Sequence, residues 1–422
     1  FGSSRIQGSK PGSRIGHPRA LAPMLSLAAM RSCGLEIIGP SASLILRPST
    51  TFRATAVDSS RCSTAAQPST ARPAASSESG PTCRSSPRPG DAGADVDIAR
   101  LLRIGPVVEK EERAAKARKE SGRKGDWARH AHEVLGILAA GGYDAPDGSG
   151  WVDVRSAVHE AVAGSLHYSA AAWRPAELPA PQFQGSGSFE VWNCTVLSAT
   201  QELSRPDGPP PGALNFASAR NPGGGFATGA AAQEESIARS SGLYPCLTKY
   251  FDSFFVPNRK SESGAYTHDM IFSPRVPVLR DDGGGLLARP YAVDFVTAAA
   301  PNVGSIRRTK GQEAEQLAEA QLRERVPRIL DLFARHGAQD LVLGAWGCGV
   351  FGNDPRTVAA LFQQELGGRF RARFRRVVFA VLDAGMARDF ADVFRTDVVP
   401  PGSAMSQWGA QRKWNAGHGK KS

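Results

Sequence analysis

The stretch LNFASARNPGGGFATGAAAQEESIARSSGLY, residues 214–244, decides how this chain is interpreted. It begins as a strand, enters a loop with three consecutive glycines at 223–225, and reaches Gln233-Glu234-Glu235 at the start of a helix after seven further residues. Glycines let a backbone pass close to a ligand, whereas acids at a helix start also interact favourably with the helix dipole. Taken alone, the two acids would be explained by that dipole.

A second glycine-rich loop changes this interpretation. Gly347-Cys348-Gly349-Val350-Phe351-Gly352 matches GxGxxG and lies between the strand DLVLGAW, 340–346, and the helix DPRTVAALFQQEL, 354–366. A dinucleotide-binding motif would place an acid about 20 residues further on, but the next strand reaches Asp383 only 31 residues after Gly352. The pattern therefore predicts a phosphate-binding loop. Both loops follow strands, at the carboxyl ends where α/β sheets bind ligands.

The flanking sequence alternates between strands and helices, which predicts an α/β layer fold with a mostly buried sheet. MIFSPRVPVLR, 270–280, and YAVDFVTAAA, 291–300, flank the turn DDGGG and predict a hairpin. A long helix is expected over QEAEQLAEAQLRERVPRILDLFARHG, 312–337, with a break at Pro327.

The chain divides by composition into four segments. Residues 1–95 are rich in Ser, Pro and Arg and predict a disordered tail, with a targeting segment as the alternative. Residues 96–180 predict a helical accessory segment, whose basic run at 116–124 is interpreted as a solvated helix face, with nucleic-acid contact as the alternative. Residues 185–400 predict the α/β domain that carries both glycine-rich loops, which the resemblance described below makes the catalytic domain, and 401–422 a basic tail.

Composition excludes several classes of protein. The net charge is +11, but residues 1–90 hold 11 Lys and Arg against 3 Asp and Glu, so the body is nearly neutral and no nucleic-acid readout is expected. No apolar run is long enough for a membrane span. Six cysteines without a CxxC pair favour a reducing, intracellular compartment, nucleus or cytoplasm, with organellar targeting as the alternative. His130 and His132 would point apart on a helix, so no zinc site is expected. No other metal and no cofactor are expected either. Nothing resembles a coiled coil, so a monomer is the default.

The string GGGFATGAAAQEE resembles the signature of the microbial-type poly(ADP-ribose) glycohydrolases. LNFASARNPGGGF, AQEESIARSSGLYPCL, YTHDMIFSPRVPVLRDD and LVLGAWGCGVFGNDP also resemble blocks of that family, in the family's order. The resemblance spans roughly residues 100–400. It implies a macrodomain-like three-layer α/β/α sandwich with a mixed sheet that binds ADP-ribose, and poly(ADP-ribose) and poly(ADP-ribosyl)ated proteins as partners.

The resemblance also implies roles for individual residues. Glu235 corresponds to the catalytic acid, and Glu234 to the acid that holds the ribose hydroxyls. Phe351 would pack near the distal ribose, with an ordinary core phenylalanine as an equal alternative. The substrate-binding positions implied in the two loops are Asn221, Gly223, Gly224, Gly225, Gln233, Gly347, Gly349, Val350, Phe351 and Gly352.

The two acids cannot act as an opposed pair, because adjacent helical residues project about 100° apart and paired glycosidase carboxyls flank the bond at roughly 5–9.5 Å. We therefore expect a protonated Glu235 to donate to the leaving ribose oxygen and then to activate water, while Glu234 anchors the substrate. Partial burial would favour the protonated form of Glu235. Three alternatives remain: a non-catalytic ADP-ribose reader, a mono-ADP-ribosyl-protein hydrolase and, disfavoured by topology, a nucleotide-dependent oxidoreductase.

Overall fold

The computed structural model describes residues 96–174, 177, 178, 180 and 187–400. The predictions for residues 1–95 and 401–422 lie outside these residues, as does the start predicted for the catalytic domain at residue 185. Every statement below concerns the described part of the chain.

Thirteen α-helices and ten strands are assigned within the described ranges. The helices are α1 (Ile98–Leu101), α2 (Pro106–Glu109), α3 (Glu111–Arg118), α4 (Arg123–Ala140), α5 (Arg155–Gly164), α6 (Val196–Leu203), α7 (Gln233–Ser240), α8 (Leu243–Thr248), α9 (Val256–Lys260), α10 (Val303–Lys310), α11 (Ala314–Arg335), α12 (Pro355–Gly367) and α13 (Ala384–Phe394). The strands are β1 (Gly142–Asp144), β2 (Trp151–Asp153), β3 (Leu166–Tyr168), β4 (Ser188–Trp192), β5 (Gly212–Phe216), β6 (Met270–Arg280), β7 (Leu286–Ala298), β8 (Asp340–Leu343), β9 (Arg376–Ala380) and β10 (Val398–Val399).

Eight strands form one mixed sheet in the order β10-β4-β9-β8-β5-β7-β6-β3. Neighbours from β10 to β7 are parallel, whereas β6 runs antiparallel to both β7 and β3. Strand β5 lies between β8 and β7, so the carboxyl ends of these three strands share one edge. The predicted α/β fold with a mixed sheet is confirmed.

The sheet is buried on both faces, because successive strand residues point to opposite sides. Ala213 packs into one apolar cluster, and its neighbour Leu214 packs into another. The first cluster is completed by α4 to α8 and the second by α11 to α13, which gives three layers. Helix residues in the first cluster include Val134, Val158, Leu197, Ile237 and Leu243, and those in the second include Ile329, Phe333, Phe362 and Phe390.

The predicted break at Pro327 is wrong. Helix α11 continues through this residue from Ala314 to Arg335. A proline inside a helix costs about 3 kcal/mol, but Leu322, Ile329 and Phe333 on either side are buried in the second cluster. Burying each such side chain contributes about 1.5–3 kcal/mol, so packing outweighs the local cost.

The predicted hairpin is confirmed: β6 and β7 pair along most of their length, and the turn closes where Asp281 N–H donates to the Gly285 carbonyl at 2.9 Å. The segment predicted as helical, residues 96–180, contains three short strands as well as helices. β1 and β2 form a separate two-stranded sheet, and β3 is the outermost strand of the large sheet, paired with β6.

Candidate active site

The loop at residues 217–232, the glycine loop, connects the end of β5 to the start of α7. Gly224 has a φ of +60°, in the left-handed region that favours glycine. A Cβ on Gly224 would lie 2.8 Å from Glu235 Cδ and 3.2 Å from Glu234 Oε2. The glycine therefore lets the loop pass directly against both carboxyls.

The carboxyl of Glu234 is buried beneath this loop, with the residue only 3% exposed. Its Oε2 accepts from Ser218 N–H at 2.7 Å, and its Oε1 accepts from Gly223 N–H at 3.2 Å. Burial raises the pKa of Glu234 well above its ordinary value, and the negative charge of Glu235 adds to this, against the opposing effect of the two N–H groups. Glu234 thus fixes the first half of the loop from inside.

Glu235 is half-buried, and its Oε1 accepts from Gly225 N–H at 2.9 Å. The two carboxyls meet at Gly224, one enclosed by the protein and the other with access to solvent. Of the two side chains, Glu234 is the more deeply buried. Both carboxyls accept from the loop backbone, but that of Glu235 is the more accessible to a ligand.

Gln233 and Asn221 are both held by the protein. The Gln233 amide accepts from Phe216 N–H at 2.9 Å and donates to the Leu214 carbonyl at 2.8 Å, which fixes the start of α7 against β5. Asn221 Oδ1 accepts from Arg259 Nη2 at 3.1 Å. Both side chains therefore position the loop and the helix in this structure.

Arg239 is a residue of the site that sequence analysis missed. It lies four residues after Glu235, and this spacing brings side chains to the same helix face. Its Nη1 donates to the Ala230 carbonyl of the glycine loop at 3.0 Å. Burial lowers the pKa of Arg239 to about 10, while the charge of Glu235 favours its protonated form, so it is cationic at neutral pH.

The second loop, residues 344–354, is called the GxGxxG loop and connects β8 to α12. Gly347 has a φ of +76°, and a Cβ there would lie 2.6 Å from Asn353 Nδ2. The buried Asn353 amide donates to the carbonyls of Gly347 at 2.9 Å and Pro301 at 2.8 Å. Asn353 was missed in the sequence, although it directly follows the motif.

The middle of the GxGxxG loop is open. Nothing lies within 4 Å of a Cβ placed on Gly349, and Val350 is 90% exposed. Gly352 N–H donates to the Gly349 carbonyl at 3.0 Å and closes the turn. An extended ligand could pass over this backbone without displacing a side chain.

Phe351 is half-buried, with its ring centroid 6.1 Å from that of Tyr266. Its carbonyl accepts from Val303 N–H at 2.9 Å. Part of the ring packs against the second apolar cluster. The residue thus touches the core at the edge where the loops emerge.

The positive end of α12 is capped from within, since the Asp354 carboxylate accepts from Thr357 N–H at 2.7 Å. Within the described ranges, no group of three His, Cys, Asp or Glu side chains could hold a metal ion. None of the helices described is long and apolar enough to cross a membrane.

Comparison with known proteins identifies the family. Residues 131–281 match the family model for the catalytic domain of microbial-type PARG. Poly(ADP-ribose) glycohydrolase (PARG) from Thermomonospora curvata is 40% identical with a TM-score of 0.57, and the match covers 63% of this chain and 98% of that structure. The same protein bound to the inhibitor ADP-HPD is 39% identical with a TM-score of 0.55, at the same coverage.

A solved structure from a second organism is also similar. Poly(ADP-ribose) glycohydrolase from Deinococcus radiodurans in complex with ADP-ribose is 37% identical with a TM-score of 0.51, and the match covers 57% of this chain and 98% of that structure. Comparison with curated proteins gave no match. On the identity and coverage of these structures, this chain belongs to the microbial-type poly(ADP-ribose) glycohydrolase family.

Proposed function

We propose that this chain hydrolyses the ribose–ribose O-glycosidic bonds of poly(ADP-ribose) and releases ADP-ribose, with Glu235 as the general acid and then the general base. The observation that carries the proposal is the meeting of two carboxyls at Gly224. Glu234 is enclosed and bonded to the backbone, whereas Glu235 is open to a ligand. Polymer attached to protein acceptors is the substrate that this family membership favours.

In the first step, protonated Glu235 donates its proton to the leaving ribose oxygen as the bond from that oxygen to the anomeric carbon breaks. The bonding electron pair stays on the leaving oxygen, and the ring oxygen stabilises the oxocarbenium-like carbon. In the second step, the Glu235 carboxylate takes a proton from water as the water oxygen bonds to that carbon. One water is consumed, and Glu235 regains its proton.

The neighbouring groups support these steps. Gly225 N–H, at 2.9 Å from Oε1, holds the Glu235 carboxyl in one orientation. The Glu234 carboxyl is hydrogen-bonded by Ser218, Gly223 and the Asn215 side chain. A protonated carboxyl keeps one O–H donor and further acceptor sites, which would be available to a ribose hydroxyl. The GxGxxG loop, open at Gly349 and Val350, would bind the diphosphate through its backbone.

The test is to incubate the full chain with purified poly(ADP-ribose) and, separately, with a mono-ADP-ribosylated protein, and to quantify free ADP-ribose by chromatography. We expect release from the polymer. Binding of ADP-ribose without release from either substrate would make the protein a reader. Release from the mono-ADP-ribosylated protein alone would assign the rival hydrolase activity.

A further inference from the structure

The helices α2 to α4, with Gly105 just before them, pack along the outside of the glycine loop. A Cβ placed on Gly105, just before α2, would lie 3.2 Å from Pro222 Cγ near the start of the loop. At the other end, a Cβ on Gly229 would collide with the carbonyl oxygen of Lys124 in α4. The loop therefore lies in direct contact with these helices near both of its ends.

Arg259 joins α2 to the start of the loop. One guanidinium nitrogen donates to Glu109 Oε1 at 2.8 Å, and another donates to Asn221 Oδ1 at 3.1 Å. The third, Nε, donates to the Arg220 carbonyl at 2.6 Å. Because the guanidinium is a rigid planar fork, its hydrogen bonds connect Glu109 to the start of the loop in a fixed geometry.

Arg239 joins α4 to the end of the loop. Its guanidinium carbon lies 4.8 Å from the ring centroid of Trp127, within cation–π distance, and its Nη1 donates to the Ala230 carbonyl. Arg239 and Glu235 lie on the same face of α7. The indole of Trp127 therefore packs against Arg239, which in turn donates to the loop close to the carboxyl of Glu235.

We propose that α2 to α4 act as a brace for the glycine loop, so that Glu109 and Trp127 are positioning residues for Glu235. The inference rests on the proposed function, because its effect is on the chemical step. Glu235 depends on Gly225 N–H for its orientation, and Gly225 lies between the two arginine contacts. Displacing a reacting group by about 1 Å can cost a hundredfold in rate. Glu109 and Trp127 can act in this way through Arg259 and Arg239, without touching the substrate themselves.

The first test compares Trp127→Leu with Trp127→Phe in the full chain. Leucine removes the aromatic face that Arg239 stacks on, and phenylalanine keeps one. We expect kcat on poly(ADP-ribose) to fall about tenfold or more for Trp127→Leu and to stay within about threefold of wild type for Trp127→Phe. KM and the Kd for ADP-ribose should stay within about twofold in both, because the substrate contacts are unchanged.

The second test uses the exposed end of the brace, where misfolding is not expected. Glu109→Ala removes the acidic partner of Arg259, while its bonds to Arg220 and Asn221 remain possible. Glu319→Ala, which removes the acidic partner of Arg323 on α11, is the matched control, because 47% of the Glu109 side chain and 46% of the Glu319 side chain are exposed. Exposed ion pairs contribute little to stability, so the unfolding temperatures of both should match wild type. We expect kcat to fall about fivefold or more for Glu109→Ala alone and to recover in Glu109→Gln, which can still accept from Arg259.

Equal kcat for Trp127→Leu and Trp127→Phe, together with no difference between Glu109→Ala and Glu319→Ala, would overturn the brace. A loss of kcat that only parallels a loss of unfolding temperature would also overturn it. A weakened Kd for ADP-ribose with unchanged kcat would assign these residues to binding and contradict the proposal. If the wild-type chain releases no ADP-ribose, the proposed function itself fails, which is a different result.

Discussion

The two glycine-rich loops lie side by side, after neighbouring strands β5 and β8, yet they differ in what is packed against them. The glycine loop is closed from inside by Glu234 and from outside by α2 to α4. In the GxGxxG loop, the atoms nearest to a Cβ placed on Gly347 belong to Ala300 and Asn353, and the middle of the loop is open to solvent. One is held by charged groups on both sides, and the other by the amide of Asn353.

This difference separates two tasks that glycine-rich loops can perform. A reacting carboxyl must be held in one orientation, so the glycine loop is tied at each end and at its centre. A diphosphate is bound through backbone N–H groups, so the GxGxxG loop needs only the right backbone path and free space. Substitutions in the first loop should therefore change turnover, and those in the second should change affinity.

The largest effect should come from Gly224→Ala. The new Cβ would lie on a residue with a φ of +60° and collide with the carboxyl of Glu235. We expect kcat to fall about a hundredfold, because the reacting group or the loop must move. Turnover and circular dichroism of the same preparation check this result. Activity within twofold of wild type would show that the two carboxyls do not need this close contact.

A smaller effect is expected from Gly347→Ala, with Gly349→Ala as its matched control in the same loop. At Gly347 a Cβ would crowd Asn353 at a positive φ, whereas at Gly349 it would enter open space. Since the Cβ at Gly347 would also collide with the Cβ of Ala300, the loop must leave the path seen here, and we expect the Kd for ADP-ribose to rise about tenfold, which is about 1.4 kcal/mol. Titration calorimetry should show this loss for Gly347→Ala and less than twofold for Gly349→Ala. Equal affinities would remove the GxGxxG loop from the binding site.

The smallest effect that we expect is a change of the free energy of unfolding with pH, which originates at Glu234 beneath the glycine loop. Because burial raises the pKa of Glu234, the folded chain keeps this proton above the ordinary value of about 4.5, at which the unfolded chain releases it. The folded state then binds more protons, and stability falls as pH rises. Relative to Glu234→Gln, wild type should lose stability above about pH 4.5, with a slope of at most about 1.4 kcal/mol per pH unit.

Chemical denaturation at several pH values checks this slope. Glutamine has its own cost beside Ser218 and Gly223 N–H, but that cost is independent of pH. A difference between the two proteins that stays constant from pH 4.5 to 8 would contradict a raised pKa at Glu234. A difference in stability that moves in favour of wild type as pH rises would mean that folding lowers the pKa of Glu234 instead of raising it.

Much of the fold and of the candidate site could be predicted from the sequence, because the signals are local. The hairpin of β6 and β7 and the positions of the two loops follow from strands that end in glycines. Pro327 shows where local signals fail: its cost is intrinsic to the residue, but the packing that outweighs it comes from distant strands and helices.

The braces could not be predicted for the same reason. Trp127 and Arg239 are more than a hundred residues apart in the chain, and Arg259 connects α2 with the start of the glycine loop. Only the spacing of Arg239 from Glu235 carried a local signal. The three-residue strand β3 is likewise defined by its partner β6.

The most direct test of the division between the loops is to measure turnover of poly(ADP-ribose) and affinity for ADP-ribose on one preparation of Glu235→Gln. Glutamine keeps the size of the side chain and an acceptor for Gly225 N–H but removes the acid. We expect turnover to fall by more than about a hundredfold, with the Kd for ADP-ribose within about threefold of wild type. Turnover close to that of wild type would contradict Glu235 as the acid and, with it, the account of the glycine loop.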